Sequence, residues 1–383
     1  MNKINTKLLK ILVFDLDGVI TSEQKYWNTA RLTIWELICS EKYLGISKYF
    51  GESRTVSTRL VEVGERVIPG SFIYELKSRA INSNWDLTFF VISLQLLALL
   101  VELKKVGEEN FSLILNQKNI SIIDKLKYLQ GLSKKYEYSD DISHSIIGQF
   151  WSETELLTGA SVLNYVNTFI NQKLGDNSYF FDPRGELWQL CYENFQAWYE
   201  GKKGYNLPDD ETVLELNSIG TTLKALYNSG AYTLAIATGR PRNEVIQPLT
   251  TLGLLQYFDP QRIVTYDEVL KAESILSHSD KNIKLGKPHP FVLFKAIYPQ
   301  EEVKKLCAED FQFENGMEIA YVGDAGSDVV AAKKAGCISI GVLTGFVEDK
   351  AKEKKQEMLV DLGCDVILDS ILELPQLLGV QTN

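Results

Sequence analysis

The chain opens with one short apolar run and then changes rhythm twice. Residues 11–15, "ILVFD", are apolar up to a terminal carboxylate, the pattern of a strand buried on both faces. From residue 24 to about 205, apolar positions recur at helical spacing and no segment reads as a strand. From residue 209 onward, short apolar runs alternate with helical patterns, which predicts βαβ units and a parallel sheet. The strand candidates are 11–15, 232–238, 262–266, 318–324, 338–343 and 365–368. Between them, Leu216, Ile219, Leu223 and Leu226 keep a 3.6-residue period, and Gly230 supplies the stop. The stretch "SDVVAAKKAG" at 327–336 opens with Ser/Asp capping chemistry and closes on Gly336.

The predicted fold class is therefore α/β: a doubly wound parallel sheet with a large all-α domain inserted after the first strand. Polar turns, "TSEQ" at 21–24 and "GKKGYNLPDD" at 201–210, mark the borders. They divide the chain into an α/β domain of residues 1–22 and 209–383 and a helical domain of residues 23–208. Within the latter, helices are expected in 26–45, 72–81, 85–104, 121–132, 143–157, 161–175 and 185–201. The segment 49–70 between the first two reads as a solvated loop; its Arg54, Arg59 and Arg66 offer the alternative of holding an anionic substrate tail. The aromatic-rich stretch 180–201 reads as packing core through Leu187, Leu190, Phe195 and Trp198. The most apolar stretch, 85–103, is broken by Asp86, Gln95 and Glu102, and its uninterrupted part is shorter than a membrane span. It is expected to be a buried helix. The apolar run near the start ends at Asp15 without a cleavage site, so no signal peptide is expected.

Composition narrows the function classes. At 383 residues the chain is too long for one ordinary core. A formal net charge of -10 disfavours a large nucleic-acid footprint or an anionic membrane surface. It does not disfavour a small anionic substrate, because local dipoles and a few cations suffice to hold a phosphate. Five dispersed cysteines without a CxxC read as free thiols in a reducing, cytoplasmic compartment. Three widely separated histidines disfavour a His-based zinc site.

In open parallel sheets, ligands bind beyond the carboxyl ends of the strands. Those ends carry a consistent set of residues. Asp15 and Asp17 follow the first strand, Thr238 and Gly239 the second, and Asp324 and Asp328 a later one. Lys287 lies in "GKPHPF", between the third and fourth strands. Converging carboxylates repel one another, and a divalent cation held by oxygens relieves that repulsion. A hydroxyl and a lysine then remain for a phosphoryl group, with Gly18 and Gly239 letting backbone N–H groups approach it. Taken singly, Thr238 reads as a helix N-cap and Lys287 as a solvated lysine. Asp328 has the alternative of capping the helix that follows. His289, between two prolines, reads as structural; Arg240 and Arg242 read as solvated surface residues, with substrate contact as the alternative.

The four stretches "FDLDGV", "ATGR", "GKPHPF" and "YVGDAGSD" resemble, in order, the four motifs of the haloacid dehalogenase superfamily of aspartate-nucleophile phosphotransferases. The resemblance covers 10–22 and about 209–375, and it is nearest to the β-phosphoglucomutase and phosphoglycolate-phosphatase branch. It implies a Rossmann-like core and identifies the helical insertion with the C1 cap of that family, here more than twice the usual size. It implies Asp15 as nucleophile, Asp17 as general acid and base, and Lys287 as neutralising cation, with Thr238, Gly239 and Lys287 binding substrate. It implies Mg²⁺ held by Asp15, the Asp17 carbonyl and Asp324, with Asp328 ordering the metal's water shell. One departure is Ser22, followed by Glu23, where family members often carry Asp after the position of Thr21; it bears on the hinge into the cap. An intact Asp17 disfavours dehalogenase and phosphonatase chemistry. The expected activity is a Mg²⁺-dependent phosphatase acting on a small phosphorylated metabolite. The alternatives are a phosphomutase of the same chemistry and a non-catalytic scaffold binding a protein through the insertion. No motif points to nucleic acid, a membrane or a particular protein partner.

Overall fold

The computed structural model describes residues 5–46, 55–79, 81, 83–108, 110–134, 140–208, 211–276, 283–345 and 349–382. Two compact units emerge, one of residues 1–23 and 209–383, the other of residues 24–208.

The first unit is built on six parallel strands: β1 (Ile11–Phe14), β2 (Thr233–Ala237), β3 (Ile263–Val264), β4 (Ile319–Gly323), β5 (Ile338–Val342) and β6 (Val366–Leu368). Their order is β3-β2-β1-β4-β5-β6. Central β1 pairs with β2 on one side and β4 on the other, Phe14 lying opposite both Ile236 and Val322. The alternation of strand side chains sorts the core into two layers. Leu12, Phe14, Leu234, Ile236, Ala320 and Val322 face a cluster with Ile219, Leu223, Leu226, Val245 and Leu249. Val13, Ala235, Ala237, Ile319 and Tyr321 face the other way, onto Val269, Ala272, Phe291, Phe294, Ala331 and Ala335. Helices thus cover both faces, which is why the strands read as unbroken apolar runs. This is the doubly wound sheet expected from the sequence, and all six strand candidates fall on strands. The third is much shorter than predicted. Glu268 captures the N–H and hydroxyl of Thr265 at 2.8 and 2.7 Å, and helix Tyr266–Leu276 begins at once.

The second unit is helical throughout its described residues. Its centre is helix Asn84–Lys105, capped by Ser83, which accepts the Asp86 N–H. The helix is apolar and long enough to cross a membrane by composition, yet 89% of its most apolar window is buried inside the protein. Its polar residues find partners there. Trp188 Nε1 donates to Asp86 at 2.7 Å, and Ser143 donates to Gln95 at 3.0 Å. Phe150 packs edge-on against Trp151 and Phe169 and tilted against Phe90. Leu187, Leu190, Phe195 and Trp198 are buried along helix Glu186–Tyr199, as their period predicts. The 49–70 segment is corrected: Val56–Arg66 is a helix, started by Thr55, whose hydroxyl accepts the Thr58 N–H. Arg59 stacks over Trp35, its guanidinium carbon 3.8 Å from the ring centre, and so packs against the unit instead of projecting from a loop. Arg54 lies outside the described residues.

Candidate active site

The strand order places a topological switch beside β1. The chain builds β2 and β3 to one side of it, then returns to build β4, β5 and β6 on the other. The crevice at the carboxyl end of β1 and β4 is where such a sheet binds ligands. Asp15 stands there at the end of β1, its N–H continuing the ladder to the Val322 carbonyl at 2.9 Å. Asp324 follows β4 directly. Thr238 follows β2, its N–H bonded to Val264 O at 3.1 Å, and Lys287 reaches in from the loop before helix Phe291–Ile297. The structure therefore brings together Asp15, Thr238, Lys287, Asp324 and Asp328.

Lys287 organises the carboxylates. Its Nζ lies 2.8 Å from Asp15 Oδ2 and 2.8 Å from Asp328 Oδ1, all three side chains being almost fully buried. It also donates to the Tyr321 hydroxyl at 3.2 Å. Burial alone would lower the ammonium's pKa, but the carboxylates of Asp15 and Asp328 hold it well above the ordinary lysine value. Asp15 moves in the opposite sense to a paired carboxylate. Burial pushes its carboxyl up to about 7 against the pull of Lys287, and the charges of Asp328 and Asp17 add to the rise.

Asp328 is held on both oxygens. Oδ1 accepts from Lys287 and lies 3.1 Å from the Tyr321 hydroxyl, while Oδ2 accepts the N–H groups of Asp324 and Ala325 at 3.1 and 3.0 Å. Asp328 caps the start of its helix, and with the same carboxylate it fixes the loop that carries Asp324 and anchors Lys287. Asp15, Asp324 and Asp328 each offer an oxygen within 4.8 Å of the others. Asp15 Oδ1 is buried and accepts no hydrogen bond among the described residues. An all-carboxylate set with such an oxygen suits a hard divalent cation such as Mg²⁺ and does not suit a thiophilic metal.

Asp17 is in the turn after Asp15. Leu16 O accepts the N–H groups of Val19, Ile20 and Thr21, and the Gly18 N–H closes the turn onto Thr21 O at 2.8 Å. That corrects one expectation, because the Gly18 N–H is committed within the turn. What Gly18 provides is clearance: its φ is +73°, and a Cβ would stand 2.4 Å from Asp324 Oδ2. Gly239 has open space where its Cβ would be.

Two cations were misread or passed over in the sequence. Arg240 is buried, at 2% exposure, and is not a solvated residue. Its Nε and Nη2 donate to Asp17 Oδ1 at 2.9 and 2.5 Å, and Nη1 donates to Glu244 O at 3.2 Å. The Arg240 N–H also donates to the Thr238 hydroxyl at 3.3 Å. Lys355 lies with its Nζ 2.9 Å from Asp324 Oδ2. The signal that bears on both is charge: four convergent carboxylates with one lysine leave a deficit of positive charge that a buried site does not tolerate. Arg242 donates to Ile263 O at 3.1 Å and lies 3.6 Å from Glu268. His289 Nδ1 accepts the Phe291 N–H at 3.1 Å, in keeping with a structural role at the start of that helix.

A doubly wound core with an aspartate at the end of its central strand, an opposing aspartate pair and a buried lysine defines a class. The chain resembles the haloacid dehalogenase-like hydrolases, whose family model matches residues 163–342. Asp15 and Asp17 lie before that stretch. Among curated proteins the chain is similar to the phosphoglycolate phosphatase of Pectobacterium atrosepticum, with 28% identity over 198 residues, 52% of this chain and 67% of that one. It is similar to the phosphoglycolate phosphatase of Vibrio vulnificus as well, with 30% identity over 189 residues, 49% of this chain and 65% of that one. The chain thus spans about two thirds of the length of these relatives. A crystal structure from the Northeast Structural Genomics Consortium matches at a TM-score of 0.69 and 26% identity, over 97% of this chain and 98% of that one. That likeness extends over the helical unit as well as the sheet.

Proposed function

We propose that this protein is a Mg²⁺-dependent phosphatase that hydrolyses a small phosphorylated metabolite through an aspartyl-phosphate on Asp15. The observation that carries this reading is the Asp15 carboxylate itself: buried at the end of the central strand, with Oδ2 2.8 Å from Lys287 and Oδ1 accepting no hydrogen bond among the described residues. Phosphoryl transfer asks chiefly for in-line positioning and neutralisation of spread charge, and the residues around Asp15 supply both.

In the first step Asp15 attacks phosphorus, an Asp15 O–P bond forms and the P–O bond to the metabolite breaks. Asp17 gives its proton to the departing oxygen. In the second step Asp17, now a carboxylate, takes a proton from water as that water attacks the same phosphorus. Inorganic phosphate leaves and Asp15 is restored. Lys287 neutralises Asp15 and the phosphoryl oxygens, the Thr238 hydroxyl donates to those oxygens, and Gly239 leaves room for them. Arg240 aims the Asp17 carboxylate. Asp15, the Asp17 carbonyl and Asp324 would hold Mg²⁺, with Asp328 supporting the loop. When bound there, the ion supplies positive charge against the carboxylates and the transferring group. The helical unit is proposed as a cap that reads the substrate and excludes water. Free cysteines fit a cytoplasmic setting.

The test is a phosphate-release assay with Mg²⁺ or EDTA over phosphorylated sugars, nucleotides and small acids, with phosphoglycolate included because of the relatives' names. Release that requires both Mg²⁺ and Asp15 supports the reading. Isomerisation of a sugar phosphate without net release would replace it with the mutase alternative. Inertness across the panel would count against an enzyme of this kind.

A further inference from the structure

Lys355 has no part in the four motifs or in the steps above. It lies on helix Asp349–Asp361, one turn before Leu359, which is fully buried. Its side chain is 4% exposed and its Nζ lies 2.9 Å from Oδ2 of Asp324, itself 1% exposed. The same Nζ donates to the Thr344 carbonyl. Thr344 in turn donates through Oγ1 to the Gly18 carbonyl at 2.7 Å, so the ammonium is seated on the segment that closes over the Asp15–Gly18 turn. Gly345, next along, comes so near that a Cβ there would stand 2.6 Å from Gly18 Cα and 2.6 Å from Asp324 Oδ2.

We propose that Lys355 is an internal cation that occupies Asp324 in the metal-free protein and thereby sets how tightly a divalent metal ion is held. The inference rests on Asp324 being a metal ligand, as proposed above. Its physics is simple. Buried carboxylates with oxygens within 4.8 Å of one another destabilise the fold unless cations offset them. Lys287 serves Asp15 and Asp328, Arg240 serves Asp17, and Lys355 serves Asp324. A dication arriving at Asp324 meets a positive charge already within hydrogen-bond distance of its ligand. Either the ammonium withdraws, losing its carboxylate, or both cations share one residue and repel. Both outcomes weaken metal binding relative to a neutral side chain at this position. Without the metal, Lys355 gives Asp324 its counter-charge and so stabilises the fold.

The test compares wild type with K355M and K355Q, which remove the charge, and K355R, which keeps it. Mg²⁺ affinity is read by titration calorimetry, and stability is read by thermal unfolding in EDTA. The neutral variants are expected to bind Mg²⁺ about tenfold or more tightly than wild type, the direction that removal of a nearby positive charge dictates. They are expected to unfold at lower temperature in EDTA, and that penalty is expected to vanish when Asp324→Asn is added to every variant. K355R is expected to track wild type in both readings. Equal or weaker Mg²⁺ affinity in both neutral variants would overturn the inference, as would an EDTA penalty that survives in the Asp324→Asn background. Absence of Mg²⁺ binding in wild type and in every variant would instead overturn the metal reading, and this inference with it. That signature is distinct from binding of equal strength.

Discussion

Arg240 holds Asp17 by one carboxylate oxygen, Nε and Nη2 both donating to Oδ1 at 2.9 and 2.5 Å. Nη1 is committed to the Glu244 carbonyl and the backbone N–H to the Thr238 hydroxyl. One residue, through its side chain and its backbone N–H, therefore ties the acid/base candidate after β1 to the hydroxyl candidate after β2. A two-point guanidinium contact fixes direction as well as distance, which an ammonium cannot do.

Arg240→Ala should accordingly lower kcat by roughly tenfold to a hundredfold, part of what a positioned general acid and base contributes. KM should move much less, because Asp17 acts on the departing oxygen and not on ground-state binding. Arg240→Lys should restore part of the loss. Steady-state kinetics of the three proteins on one substrate check this; a change confined to KM would contradict the positioning role.

The Asp15 carboxyl, raised to about 7 from an ordinary 3.8, gives the metal-free protein a pH signature. Between those values the folded state keeps a proton that the unfolded chain has released, so this group's contribution to stability increases as pH falls from about 7 toward 4. Above 7 the folded protein carries the full cost of a buried, crowded carboxylate. Asp15→Asn removes that cost. In EDTA the variant should be more stable than wild type at pH 8, and the gap should narrow as pH falls to 5. Chemical denaturation of both proteins at the two pH values measures it. A gap that does not depend on pH would contradict an elevated Asp15.

Gly18→Ala should damage the site out of proportion to its size. The residue sits at a φ of +73°, which costs an L-residue roughly 1–2 kcal/mol. The added methyl would also meet Asp324 Oδ2 at 2.4 Å, so the carboxylate must shift. The expected result is loss of most phosphate release with a cooperative thermal transition retained. Wild-type turnover in this variant would show that Asp324 need not stand where it does.

In the helical unit, Phe150 is fully buried and touches Phe90, Trp151 and Phe169. Phe150→Ala should cost about 3–5 kcal/mol, the range for deleting a core aromatic. Unfolding monitored by circular dichroism checks it, and a cost under about 1 kcal/mol would mean that the cluster closes over the cavity.

Much of this was legible in the sequence, and for a physical reason. Strands buried on both faces are nearly pure apolar runs, so β1 to β5 could be read down to the carboxylates that follow β1 and β4; β6 is half-buried but keeps the same apolar run. Motif residues with backbone-defined positions, Asp15, Thr238, Asp324 and Asp328, were legible because strand ends in an open sheet converge. Val56–Arg66 was missed because its Ser, Thr, Gly and Arg content resembles a loop, while its start signal is a single cap, Thr55. Arg240 and Lys355 were missed because burial of a charged side chain is a tertiary fact. In "DKAKEKKQEM", four lysines, Lys350, Lys352, Lys354 and Lys355, compete for attention. Only the one-turn spacing from Lys355 to Leu359 sets one apart, and it carries no meaning until Leu359 is known to be buried.

The central claim is that Asp15 carries the phosphoryl group, and it can be tested on the residue itself. The enzyme is mixed with Mg²⁺ and a turned-over phosphate ester, quenched in acid and reduced with borohydride, which converts an aspartyl-phosphate to homoserine. The peptide spanning residues 11–23 is then read by mass spectrometry. Homoserine at position 15, dependent on substrate and on Mg²⁺ and absent from Asp15→Asn, is the predicted result. An enzyme that releases phosphate yet leaves Asp15 unreduced, or that keeps its turnover as Asp15→Asn, would contradict the account.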